Sequence, residues 1–158
     1  MLFGRDCLGL SLPLIDQALA GEQLSSAAFA LKIVFTAVPL GCAFPGGEVT
    51  PLFVIGATLG SALAALLHLP VALLAAIGFV AVFAGAANTP LACTIMGAEL
   101  FGAGAVVPIA IGCVISYVFS SHHGIYPTQP IHAAKGPTRI PGRPTLNAWG
   151  NRETPPAD

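Results

Sequence analysis

Charge is what this sequence has least of. Only 8% of its residues are Asp, Glu, Lys or Arg, where a soluble globular domain carries roughly a quarter. Between Lys32 and Lys135 the only side chains ionised at neutral pH are Glu48 and Glu99, a stretch from which no ordinary soluble surface could be built. Basic stripes are missing too, and a net charge of -1 offers no footing for nucleic acid. The cysteines Cys7, Cys42, Cys93 and Cys113 have no CxxC spacing and sit in apolar sequence, so they read as small packing residues rather than a disulfide or zinc framework. His122-His123 closes an apolar run with no acid or cysteine beside it to complete a metal site. No nucleophile–base pair, metal cluster or phosphate loop stands out, so neither an enzyme nor a cofactor is expected. The opening "MLFGRDCLGLSLPL" carries Arg5 and Asp6 at its front and no small-residue cleavage pattern, which argues against a removable signal peptide.

What is present is apolar: 55% hydrophobic residues and a mean hydropathy of +0.82. The chain therefore reads as an all-α membrane protein, since in lipid every backbone polar group must be paired within the protein. Apolar runs cover residues 27–42, 52–67, 71–87, 91–101 and 105–120, followed by a short segment at 125–133. Most fall short of the roughly 20 residues that cross a bilayer squarely, so short, tilted and discontinuous helices are predicted. Thr50-Pro51, Leu69-Pro70, Thr89-Pro90 and Tyr126-Pro127 read as helix starts with proline at the first helical position. Helix starts inside lipid are tolerated where they line a cavity, which makes them pointers to a transport site. Gly56, Gly60 and Ala64 recur every four residues and predict a smooth face for helix packing, and "FAGAAN" at 83–88 reads the same way. From Lys135 onward the sequence turns rich in Pro, Gly and charge; residues 1–134 are assigned to the membrane region and 135–158 to a disordered tail. Four of the six Lys and Arg lie in that tail, which places it in the cytosol by the positive-inside rule.

Glu48 is the residue that asks for a function. An ionised carboxylate in the hydrocarbon region costs about 2.5–3.5 kcal/mol on insertion scales. It sits just before a helix start, where amide groups and the helix dipole attract negative charge. Gly46 and Gly47 allow close approach to the backbone, Thr50 offers a hydroxyl, and Pro51 fixes the helix start. Amides and hydroxyls together could replace the hydration of a small hard anion without a full positive charge. The local alternative is that Glu48 only caps its own helix or pairs with a group elsewhere. Tyr126, alone, would most simply be an interfacial anchor. Glu99 reads as a structural acid hydrogen-bonded at a helix end.

In order and spacing, "GGEVTPLFVIGATLG", "FAGAANTPLACTIMGAELFG" and "GIYP" resemble the second half of a CLC anion transporter. In that family a G-x-F-x-P segment supplies anion-binding amides and a tyrosine before the last helix supplies a hydroxyl. Here Gly47-Glu48-Val49-Thr50-Pro51 replaces the phenylalanine with Val49 and introduces Glu48 and Thr50, which is similar to the fluoride-specific branch, the CLC-F fluoride/proton antiporters. The resemblance, over about residues 3–133, implies the second inverted-repeat half of the CLC chloride channel fold. It implies anion binding by the amides of Glu48 and Val49 and the hydroxyls of Thr50 and Tyr126, with proton coupling through the Glu48 side chain.

The resemblance also implies a chain that begins midway through the family's sequence: a fragment, a truncated reading frame or one piece of a split gene, inactive alone. Its expected partners are fluoride or chloride, protons, and a missing N-terminal half or a full-length CLC subunit. The complete protein is expected to be a homodimer in the inner membrane. Two alternatives stand beside this reading: a fragment of a chloride channel or chloride/proton transporter, and a truncated assembly module that docks on full-length subunits without transport.

Overall fold

A computed structural model describes residues 11–24, 27–42, 47–121, 124–126, 128–130, 135 and 145–148. Among them the regular elements longer than one turn are helices: α1 (Leu12–Leu19), α2 (Ala28–Gly41), α3 (Val49–Leu67), α4 (Val71–Ala87), α5 (Pro90–Phe101) and α6 (Val106–Phe119). A short 3-10 turn at Ala103–Ala105 joins α5 to α6, and Pro130 forms an isolated antiparallel bridge with Thr145. Only α3, with 19 residues, is long and apolar enough to cross a bilayer among the described residues; the others are shorter apolar helices, as the run lengths suggested.

The small-residue stripe on α3 sets the closest helix pair. Gly56, Gly60 and Ala64 are buried. A Cβ at Gly56 would stand 2.8 Å from the Gly78 carbonyl carbon, and one at Gly60 2.6 Å from that of Leu74. The α3 and α4 backbones therefore touch, running antiparallel, in the manner expected where small residues rather than hydrophobic exclusion drive association in lipid. One turn nearer the start of α3, Phe53 stacks on Phe79 with centroids 4.3 Å apart and lies 4.9 Å from the tilted Phe83. Phe101 closes the row with its edge toward Phe79, at 5.9 Å.

The second layer packs α5 and α6 on α4. Val80, Ala84, Cys93, Ile109 and Cys113 form one buried cluster. Gly85 lies against Ser116, and Gly112 against Ile77 and Ala81, so α4 and α6 run parallel. The link between α1 and α2 is tied to α3: the Leu24 amide donates to Ser61 Oγ at 3.2 Å, and that hydroxyl donates to the Glu22 carbonyl at 3.4 Å. Lys32, buried on α2, donates to Ser11 Oγ at 2.8 Å.

Three expected helix starts differ, the smallest departure being α4, which begins at Val71, one residue late, with Pro70 at the N-cap. α3 begins at Val49 with Glu48 at the N-cap, two residues before the expected start at Pro51. Proline fits there at the third helical position because the first few helical N–H groups have no intrahelical acceptor anyway. The helix expected from Pro127 does not form across residues 128–130. There the Gln129 amide closes a turn on the Tyr126 carbonyl at 3.0 Å, and Pro130, which disfavours a helical residue 129, leads into the Thr145 bridge. By contrast α5 starts as predicted, with Thr89 at the N-cap and Pro90 first.

Glu99 also departs from expectation: it stands exposed near the end of α5 with no hydrogen-bond partner among the described residues. Cys93 and Cys113 are buried and unpaired and Cys42 is exposed, whereas Cys7 and His122-His123 lie outside the described residues. Of the segment assigned to the tail, Lys135 and residues 145–148 are described, the remainder lying outside.

Candidate anion site

The start of α3 is a cluster of backbone donors. The Leu52 amide makes the first helical bond, to the Glu48 carbonyl at 3.3 Å. Pro51 has no N–H to give. The amides of Glu48, Val49 and Thr50 have no acceptor among the described residues, and the Glu48 side chain makes no capping bond back to them. Glu48, Val49 and Thr50 are all half-buried. Glu48 thus stands at the N-cap without a side-chain capping bond among the described residues. Three donors at the positive end of a 19-residue helix, with a hydroxyl on Thr50 and a carboxylate on Glu48, make a site whose dipoles favour an anion and whose one ionisable side chain can oppose it.

Helix directions decide what else stands at this end. Gly56 opposite Gly78 and Gly60 opposite Leu74 define the antiparallel register of α3 and α4; carried toward the start of α3, it sets Glu48 level with Ala86. Because α4 and α6 are parallel, α6 also ends here, and α5 begins here at Thr89-Pro90. The chain leaving α6 is tied to the same place, for the Ile125 amide donates to the Ala86 carbonyl at 2.9 Å. Tyr126 follows directly.

The expected residues are therefore assembled in part. Glu48, Val49 and Thr50 form one helix start, and Tyr126 is held at the same end of the bundle, 46% exposed, without a hydrogen bond to them among the described residues. No group of three or more potential metal ligands gathers among the described residues.

Three residues around this end were not singled out from the sequence: Asn88, Ser120 and Lys135. Asn88 takes the left-handed conformation that closes α4 (φ 57°), where asparagine is one of the few tolerated residues. The Lys135 ammonium donates to Asn88 Oδ1 and, at 2.9 Å, to Ser120 Oγ, and lies 3.9 Å from the centre of the Tyr117 ring. Burial lowers the Lys135 pKa from its ordinary value. Asn88 before Thr89-Pro90 was the available signal for a helix end; nothing in the local sequence marks Lys135 as its partner.

Comparison with known proteins agrees with this architecture. The chain is 60% identical over 110 residues to a chloride/fluoride channel protein of Pseudomonas syringae pv. tomato, a match that covers 70% of this chain and 24% of that protein. The crystal structure of a CLC-type fluoride/proton antiporter superposes with a TM-score of 0.72 at 38% identity, over 77% of this chain and 31% of that one. The chain thus spans about a quarter of the curated relative and under a third of the solved structure, and its helices fit one half of the CLC fold. The voltage gated chloride channel model matches residues 1–121, most of the chain, which is therefore a membrane protein of the CLC family.

Proposed function

We propose that this chain supplies the anion-binding second half of a fluoride/proton antiporter, acting together with the part of its relatives that it does not cover. The observation that carries the reading is the start of α3, where three amides without described acceptors stand beside the Glu48 carboxylate and the Thr50 hydroxyl. Fluoride is a small, strong hydrogen-bond acceptor, so short, aligned N–H and O–H donors replace its hydration better than that of a larger halide. A protonated Glu48 can donate to the ion; an ionised one repels it, by about 4 kcal/mol at 4 Å in a medium of effective dielectric constant 20. Fluoride occupancy and the protonation of Glu48 are therefore energetically linked, which is one way to couple the movement of the two ions. The Tyr126 hydroxyl, held at the same end, completes the donor set.

Support also comes from the solved relative, described as a fluoride/proton antiporter. A chloride-conducting reading is favoured by the curated relative's description as a chloride/fluoride channel protein. The complete assembly is proposed to be a homodimer in the inner membrane with residues 135–158 on the cytosolic side, where most Lys and Arg of the chain lie. The test is flux from proteoliposomes that hold this chain with a complementary first half. Fluoride efflux with opposed proton movement supports the antiporter; equal chloride and fluoride flux supports the chloride reading; co-purification with a full-length subunit and no flux supports an assembly role.

A further inference from the structure

Lys135 is far in sequence from the elements it touches, and what it touches is the end of the bundle on which Tyr126 depends. Its ammonium bridges Asn88 Oδ1, at the close of α4, and Ser120 Oγ, at the close of α6, over the face of Tyr117. Both helices present the negative end of their dipole there, which is where a cation is favourable. Ser120 Oγ also lies 3.0 Å from the Tyr117 carbonyl and 3.5 Å from Asn88 Oδ1, so the two helix ends and the ammonium form one network. The segment bearing Tyr126 is built onto it. Gly124 sits so close to Asn88 that a Cβ would collide with the carboxamide and would come within 3.1 Å of the Ala86 oxygen. Next, the Ile125 amide donates to that same Ala86 oxygen at 2.9 Å. After Tyr126, the Gln129 amide returns to the Tyr126 carbonyl and the Gln129 carbonyl accepts from the Leu146 amide, both at 3.0 Å. Tyr126 is thus fastened on both sides, and the fastening leads back to Asn88.

We propose that Lys135 is a positioning residue for Tyr126: by joining Asn88 to Ser120 it fixes the platform on which residues 124–126 dock, and so holds the Tyr126 hydroxyl toward the start of α3. The holding of the segment stands on these contacts; the consequence for fluoride rests on the proposed function above. The lowered pKa of Lys135 accords with an ammonium drawn out of water into this network.

Two measurements test it. In lipid nanodiscs, Lys135→Gln should speed hydrogen exchange at the Ile125 amide about tenfold, the scale of losing a hydrogen bond to a charged group. Amides in the middle of α4, such as Val80, should not change, and Lys135→Arg should stay near the wild type. Ser120→Ala, which removes the shared partner and leaves the charge, should move Ile125 in the same direction. In proteoliposomes with the complementary half, Lys135→Gln should raise the fluoride KM about tenfold with a smaller change in kcat. In a Tyr126→Phe background the same substitution should add nothing to KM. Unchanged exchange at Ile125, acceleration spread equally through α4 and α6, or a KM effect undiminished in Tyr126→Phe would each overturn the proposal. If the wild-type assembly moves no fluoride, the fluoride reading fails, and the exchange at Ile125 still decides whether Lys135 holds the segment.

Discussion

Replacing Gly60 by alanine tests the contact that places the start of α3 against the end of α4. A Cβ at Gly60 would lie 2.6 Å from the Leu74 carbonyl carbon and 2.8 Å from the Ala75 Cα, both backbone atoms that no rotamer change can move aside. Ordinary carbon contacts are about 3.5–4.0 Å, so the helices must separate by about 1 Å along this line. Overpacking of that kind costs about 1–3 kcal/mol, and for a chain of this size each kcal/mol lowers Tm by about 2–4 °C. Thermal unfolding in detergent or nanodiscs should therefore show a fall of roughly 2–12 °C. Gly104→Ala, where a Cβ would meet nothing within 4 Å, serves as the control and should leave Tm in place. Gly97→Ala falls between, because its obstacle is the Ile109 side chain at 2.8 Å, which can shift. Equal Tm values for the Gly60 and Gly104 variants would refute the close α3–α4 contact and, with it, the register that brings Glu48 level with Ala86.

Further outcomes follow from the same geometry. Thr50→Ala removes a hydroxyl donor from the proposed site and should raise the fluoride KM about tenfold or more, with Thr50→Ser restoring most of it; proteoliposome efflux reads both. Ile109→Ala empties a fully buried position between α5 and α4, and a destabilisation of about 2 kcal/mol is expected from lost packing, measurable by unfolding in mild detergent. Lys135 holds fewer protons in the folded chain than in the unfolded one, because its folded pKa is the lower of the two. Its contribution to stability should therefore rise with pH between the lowered value and the ordinary 10.5, and fall as pH drops through that window. Lys135→Arg, charged throughout, should flatten that slope in unfolding measured across alkaline pH.

The helical class and the α3 stripe could be read directly, because lipid demands internally bonded backbone and leaves small residues as the main means of close helix packing. Glu48 and Thr50 drew notice for a similar reason: an acid beside Gly-Gly and Thr-Pro is costly in apolar sequence and has few local explanations, whereas Val49 entered only through the family resemblance. Proline misplaced the start of α3 by two residues, since its missing N–H is tolerated at several early helical positions and not at the first alone. At Tyr126-Pro127 the same rule yielded a helix where the Gln129 amide instead closes a turn on the Tyr126 carbonyl, because Pro130 disfavours a helical residue 129. The Asn88–Ser120–Lys135 network could not be read at all. It joins residues 15 to 47 positions apart through tertiary contact, and a lysine in a Pro- and Gly-rich stretch carries no local mark of its partners.

Proton movement driven by fluoride is the most direct measure of the central claim. Proteoliposomes containing this chain with a complementary first half, loaded with fluoride and followed with a fluoride electrode and an internal pH dye, should take up protons as fluoride leaves. Glu48→Gln should remove that proton uptake. Fluoride efflux with no opposed proton movement in the wild type, or proton uptake undiminished in Glu48→Gln, would contradict the account.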